Sequence, residues 1–280
     1  MIRRVLARPS TAVGAAIVAA LFLVALLAPA IAPFDPAVVD AARSFARPGS
    51  QHWLGTDNLG RDIFSRLLYG ARWSLGIVLV ATEMIMSAGV VIGVVAGYAG
   101  GLVDDVLMRL VDTVLSVPSL LLGLAIVGTL GPGVRSLMIG VASIWWVGHA
   151  RIIRGLVLAH RERGFVEAAR ALGARDSRIV TRHVLPGILP AVVVLATLEV
   201  GELVLAISGF SFLGLGAQPP TPEWGAMLND ARNFFFTAPQ LMLYPGAAIT
   251  ITVLGFNLVG DGLRDALDRT DSRHIRRAAQ

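Results

Sequence analysis

The chain of 280 residues contains no cysteine and no lysine, and only 15% of it is charged. Without cysteine there is no disulfide framework, no thiolate-bound zinc and no thiol nucleophile. Without lysine there is no Walker A loop, whose lysine has to reach the β- and γ-phosphates of a nucleotide. All 24 basic residues are arginine, so an ATP-driven role needs a partner that supplies the nucleotide site. The 5 histidines, at positions 52, 149, 160, 183 and 274, show no HExxH pair and no paired ligand spacing. A G-x-S-x-G nucleophile elbow is also missing. A membrane-embedded hydrolase therefore has no motif to rest on.

What is present is apolar. Hydrophobic residues make up 55% of the chain and the mean hydropathy is +0.70, whereas a soluble domain carries about a quarter charged residues. The fold class expected is all-α integral membrane. A span needs about 20 mostly apolar residues to cross roughly 30 Å of hydrocarbon. Six stretches qualify, at about 11–32, 73–97, 113–131, 134–150, 187–213 and 237–260. The fourth is the shortest, bounded by Arg135 and Arg151, with Trp145 and Trp146 as an interfacial anchor. The first follows Arg3, Arg4 and Arg8 but is too long for a signal-peptide core, and reads as a retained span.

The net charge of +5 and pI near 10.8 point to membrane orientation rather than to nucleic acid, because the arginines cluster between apolar runs. With the N-terminus inside, 17 of the 24 arginines fall on cytoplasmic segments. These are Arg3, Arg4 and Arg8, then Arg109, then eight from Arg151 to Arg182, then five from Arg264 to Arg277. The bias toward the inside predicts that both termini are cytoplasmic. The first outer loop is the exception, with Arg43, Arg47, Arg61, Arg66 and Arg72 against Asp35, Asp40, Asp57 and Asp62. Such a balance predicts a folded segment.

Within the spans, Gly89, Gly93 and Gly97 recur every four residues and place a small-residue stripe on one helix face, suited to close helix packing. The run from Gly128 to Gly133 lacks a following lysine and reads as the tight turn between the third and fourth spans. Glu83, Glu199 and Glu202 are acids inside apolar stretches, where insertion of an acid such as Asp costs about 2.5–3.5 kcal/mol. Glu199 and Glu202 are three residues apart and share a helix face. All three acids are candidates to line a translocation path, where a peptide's amino terminus would find a partner. The alternative is an interhelical hydrogen bond made by a protonated carboxyl.

The longest inner connection runs from Arg151 to Pro186. Residues 158–172 read as one helix, Gly173 breaks it in a left-handed C′ position, and Asp176 caps a second helix reaching Val184. Pro186 and Pro190 mark the return to the bilayer. A helix–glycine–helix elbow projecting from a membrane domain is shaped to enter a groove on another protein. A solvated basic loop against anionic lipid is the plainer alternative.

The residues of this elbow carry a family resemblance. Glu167-Ala168-Ala169, three residues, Gly173, then His183-Val184-Leu185-Pro186 resembles the EAA loop of bacterial ABC importer permeases, with His183 in place of the usual isoleucine. Leu54 to Arg66, with Gly55, Thr56, Asp57, Gly60, Arg61, Asp62 and Arg66, followed by Gly70-Ala71-Arg72, resembles the N-terminal signature of the DppC/OppC branch. By its own pattern, that stretch reads as an interfacial helix on the outer side. Asp57 and Asn58 would cap it, and Arg61, Asp62 and Arg66 would oppose an apolar face of Ile63, Phe64, Leu67 and Leu68. Gly97 to Asp112, Ser211 to Gly225 and Gly260 to Asp265 match the same branch. Ile207 and Gly187 stand where the family often has an acid and an asparagine.

The resemblance implies a six-helix ABC importer type I transmembrane domain with a coupling helix. Residues 1–72 would form an anchor helix and outer segment, 73–262 the transport domain and 263–280 a cytoplasmic tail. It implies the bacterial cytoplasmic membrane as location, and dipeptides or oligopeptides as cargo, with a nickel chelate or glutathione as the alternative. It implies a second permease of the DppB/OppB kind, two ATPase subunits carrying ATP and magnesium, and an extracytoplasmic binding protein. This chain would bind no cofactor and catalyse no reaction. A passive channel is the rival outside the class, and it would leave the elbow without a purpose.

Overall fold

The computed structural model describes residues 8–278, with side chains described as far as residue 267. Arg3, Arg4 and Gln280, and the side chains of Arg269, Arg273, Arg276 and Arg277, lie outside the described residues. Among the described residues the regular structure is helical, joined by turns and loops, apart from an isolated antiparallel bridge between Thr56 and Asp62.

Helix α1 spans Pro9–Ile31, and its first-turn proline fits the position where a missing N–H costs nothing. Helix α2 runs Ile63–Ala99 without a break, so it passes straight through residues 72 and 73. The outer segment therefore contains no separate interfacial helix. Its apolar residues Ile63, Leu67 and Leu68 form the opening turns of the second span instead. The cap also differs from the expectation: Asp62, not Asp57 or Asn58, accepts the Ser65 N–H at 2.8 Å.

The third crossing is a broken one. Helix α3, Gly101–Leu115, and helix α4, Ser119–Leu130, meet at an angle of 85°. The cause is Pro118, which lacks a donor and disfavours helical backbone at Val117 before it. The expected span 113–131 straddles this bend. Gly131 (φ +83°) and Gly133 (φ +144°) then make the tight turn into helix α5. That helix covers Val134–Arg161, eleven residues beyond the apolar stretch ending at residue 150. It tolerates the extra arginines because they are paired. Arg154 forks onto both Asp104 oxygens of α3 at 2.5 Å, and Arg151 pairs with Asp112.

Helix α6 (Gly164–Ala171) and helix α7 (Asp176–Ile179) form the elbow. A π-helical segment, Val180–Val184, joins them to helix α8, Leu185–Phe212. Helix α9 covers Trp224–Ala231, and helix α10 runs Gln240–Ala278. Five of these helices are long and apolar enough to cross a membrane, and the bent α3–α4 pair makes six.

The bundle is organised around the α2–α5 pair. A Cβ on Gly93 would lie 2.7 Å from the Ala150 carbonyl oxygen, and one on Gly97 would lie 2.9 Å from that of Arg154. The glycine stripe therefore lets two backbones touch, as its spacing predicts. Helices α1 and α10 approach the same way, with Gly14 against Leu258 and Gly255 against Ile17. Gly201 and Gly260 seat α8 on Asn257 and next to Leu198. These registers put the start of α1 and the last turns of α10 at the elbow end of the bundle.

Candidate coupling elbow and membrane acids

Helix α5 stops at Arg161, and the chain turns at Glu162 and Arg163 before α6 begins. The single helix expected over 158–172 is thus two helices, broken just before Gly164. The turn after α6 follows the expectation. Gly173 takes φ +79°, its N–H donates to Arg170 O at 3.0 Å, and the Ala174 N–H donates to Ala169 O at 3.1 Å. These are the two bonds of a Schellman cap. A Cβ at Gly173 would meet nothing within 4 Å, so glycine is required there by conformation and not by space.

The elbow is held down on one side and bare on the other. Val166, Ile179, Val184 and Ile188 are buried with Ile153 and Val157 of α5. Leu185 packs at the edge of that cluster, and the His183 ring stands 6.0 Å from that of Phe165. Pro186 is exposed in the first turn of α8, where its missing N–H is harmless. Facing outward, Glu167, Ala168 and Gly173 are exposed and Ala169 is half-buried. Phe165 is 48% and Leu172 88% exposed beside them. Large apolar side chains set bare among small alanines make a surface that a partner would cover.

The second limb departs from expectation. Asp176 does not cap α7, because Arg175 holds that position with no side-chain bond. Its Oδ1 instead accepts the Tyr98 O–H from the end of α2 at 2.6 Å. The exposed Arg170 guanidinium is held above its ordinary pKa, first by a hydrogen bond to the same phenol. Beyond Ile179 the helix widens to π geometry, a feature common at functional sites.

The three membrane acids separate into different environments. Glu83 is exposed and accepts from Ser87 Oγ at 3.1 Å within its own helix. Glu199 is buried, and its Oε2 lies 2.6 Å from His149 Nε2 of α5. Among the described residues, His149 Nδ1 and Glu199 Oε1 have no hydrogen-bond partner. Glu202 is exposed on the chain surface next to Trp145. The shared face of Glu199 and Glu202 therefore splits between a helix-to-helix tie and an open carboxylate. Among the described residues no group of His, Asp and Glu is placed to hold a metal ion.

This geometry agrees with three comparisons. Residues 89–270 match the family model described as binding-protein-dependent transport system inner membrane component. The chain belongs to this family. It is 45% identical over 252 residues to the nickel transport system permease protein NikC of Escherichia coli, covering 90% of this chain and 91% of that one. Against the dipeptide transport system permease protein DppC of Alkalihalophilus pseudofirmus, identity is 42% over 256 residues, 91% and 84% of the two chains. The glutathione transport system permease protein GsiD of Pectobacterium atrosepticum is 43% identical over 259 residues, 90% and 86% of the two. The fold resembles the structure titled "Inward facing conformations of the MetNI methionine ABC transporter", with TM-score 0.60 and 20% identity. That alignment covers 72% of this chain and 97% of the other.

The protein is thus an inner-membrane permease subunit of an ABC importer, not an enzyme. As the family description implies, it works with a second permease, ATPase subunits that hydrolyse ATP and a substrate-binding protein.

At the end of the permease opposite the elbow, the segment before α2 is folded, as its charge balance predicts. Arg61 Nε donates to Asp57 Oδ2 at 2.6 Å and its Nη2 to Asp230 Oδ2 at 3.0 Å. Arg66 adds bonds to Asp230 at 3.5 Å and to the Pro36 carbonyl at 3.3 Å. Asp62 holds His52 at 2.8 Å. Gly55 and Gly60 take φ of +80° and +75°, and a Cβ on Gly60 would collide with the Asp40 carbonyl. Thr56 receives the Ala46 N–H at 2.8 Å. Arg61, Asp62 and Arg66 are therefore buried, where the sequence pattern placed them on a solvated face. The charges satisfy one another and leave little for solvent.

His52, His149, Asp230 and Glu223 are paired positions that sequence reasoning did not single out. Glu223 is fully buried and caps α9 through the Gly225 and Ala226 N–H groups at 2.9 Å, while Ser74 Oγ donates to it at 3.1 Å. A signal for Glu223 existed within the Ser211 to Gly225 match, since an acid before a helix start is a natural cap. His149 and Asp230 had no local signal, because their partners are 50 and 169 residues away.

Proposed function

We propose that this permease subunit moves dipeptides or oligopeptides across the bacterial cytoplasmic membrane, with both termini in the cytoplasm. The elbow of α6 and α7 docks on an ATPase subunit. Ala168 and Ala169 allow close approach, Glu167 gives a polar contact, and Gly173 sets the angle between the limbs. The observation that carries this reading is the bare face of Phe165, Ala168 and Leu172 on an otherwise anchored elbow. ATP and magnesium are held by the partners, and this chain binds no cofactor. An extracytoplasmic binding protein delivers substrate to a heterodimer with a DppB/OppB-like permease, and the spans rock between outward- and inward-facing states. Glu202 is the acid best placed on the path, because it stays open while Glu199 is engaged by His149.

Peptide cargo is supported by the dipeptide and glutathione permeases among the relatives, both of which carry peptides. A nickel chelate is the second reading, favoured by the 45% identity to the nickel permease. Uptake of labelled dipeptide, longer peptide, glutathione and nickel chelate by cells with and without the intact complex separates them. Peptide accumulation that depends on this chain is the expected result. Accumulation of the nickel chelate alone would transfer the assignment to the second reading.

A further inference from the structure

Tyr98 sits in the last turn of α2, 78 residues before Asp176. Its ring packs against the apolar cluster under the elbow. Its O–H donates to Asp176 Oδ1 of α7 at 2.6 Å, and the Arg170 guanidinium of α6 is near enough for the same phenol to raise its pKa. The hydroxyl therefore ties the second limb of the elbow to α2, with a cation of the first limb beside it. The backbone of the same residue is held as well, because Arg161 Nη1 donates to the Tyr98 carbonyl at 2.8 Å.

The elbow has two joints where it meets the spans. One is the break at Glu162 and Arg163, and the other is the π-helical segment Val180–Val184. An elbow free to swivel at both would absorb a push without moving the bundle. Tyr98 closes that freedom from a third side, through a helix that is not its neighbour in the chain. Helix α2 is in turn locked to α5 by the Gly93 and Gly97 contacts.

We propose that Tyr98 is a positioning residue for coupling, whose hydroxyl clamps the elbow to the α2–α5 pair so that ATPase closure moves the spans. The proposal rests on the reading of the elbow as the ATPase-docking element. Its test uses the complete transporter, with both permeases, the ATPases and the binding protein, in proteoliposomes. Uptake per ATP hydrolysed is the readout.

Tyr98→Phe keeps the ring in its cluster and removes the hydroxyl alone. The ATPase subunits should still co-purify, ATP should still be consumed, and uptake per ATP should fall about fivefold, the scale of one hydrogen bond. Asp176→Asn keeps an acceptor oxygen and should stay close to the unmodified chain. Asp176→Ala should match Tyr98→Phe, and the double variant should be no worse than either, as shared interactions require. Full coupling in Tyr98→Phe would overturn the proposal, as would an Asp176→Asn loss equal to that of Asp176→Ala. If Ala169→Glu left ATPase co-purification intact, the docking reading would fall and this proposal with it. Intact docking with an unaffected Tyr98→Phe would remove this proposal alone.

Discussion

Two ends of the same bundle treat their distinctive residues in opposite ways. At one end Asp57, Arg61, Arg66 and Asp230 are paired, and Arg61 and Arg66 are 3% and 2% exposed. At the other, Glu167, Ala168 and Gly173 stand bare, with Leu172 the most exposed large apolar residue of the elbow. The first set has found its partners inside the chain, so it holds a shape. Among the described residues the second set is left open, which is the ground for proposing that another subunit covers it. Motif residues of equal prominence in the sequence thus divide, by burial and pairing, into those that build the permease and those left open, which we propose connect it.

The comparison is broken most directly by removing one partner from the closed network. Arg61→Ala leaves Asp57 and Asp230 short of a partner, and a broken buried pair costs about 3–5 kcal/mol. Thermal unfolding of the purified permease in detergent should show a large drop in Tm. An unchanged Tm would mean that this end does not hold the fold as described.

A smaller loss is expected within the bundle. Gly93→Val puts side-chain atoms where Ala150 O and the Ile153 side chain stand within 3 Å of a bare Cβ, and overpacking of this kind costs about 1–3 kcal/mol. The same unfolding assay measures it, and no change would show that α2 and α5 have room to part.

The open acid sharpens the contrast further. Replacing Glu199 and Glu202 together with Gln should alter uptake while the complex still assembles. Glu202→Gln alone should carry most of that change, since Glu199 is already hydrogen-bonded to His149. Unchanged uptake of peptide, glutathione and nickel chelate would return both to a packing role. The smallest perturbation is topological: reporters fused at Gln280 and within residues 36–60 should report opposite faces of the membrane. Agreement between them would refute the orientation proposed from the arginines.

How much could be read beforehand depended on how local the cause was. Gly173 was legible because a helix end needs one left-handed residue, and nothing outside the turn affects that need. The glycine stripe of α2 was legible because a spacing of four fixes a face whatever the neighbour is. The bend at Pro118 was missed because apolar length was weighed and the proline was not. Arg151 was taken as the edge of a span, since its partner Asp112 lies 39 residues away and neutralises it only in the folded chain. The same applies to Arg61 and Arg66, which composition placed facing water and Asp230 draws inside. The Gly173 turn and the glycine stripe were readable, whereas the helix caps expected at Asp57 and Asp176 and the charge pairing across the bundle were not.

The central claim is that the bare elbow docks the ATPase, and co-purification with coupled hydrolysis tests it most directly. Ala169→Glu adds bulk and a charge to the docking face. Gly173→Val forces a β-branched residue to φ +79°, a strain on the order of 1–3 kcal/mol that re-aims the second limb. Neither change touches a span, so both variants should insert in the membrane. Both should lose ATPase subunits on purification and lose substrate-stimulated ATP hydrolysis in reconstituted vesicles. Full assembly and full coupled hydrolysis in both variants would contradict the account.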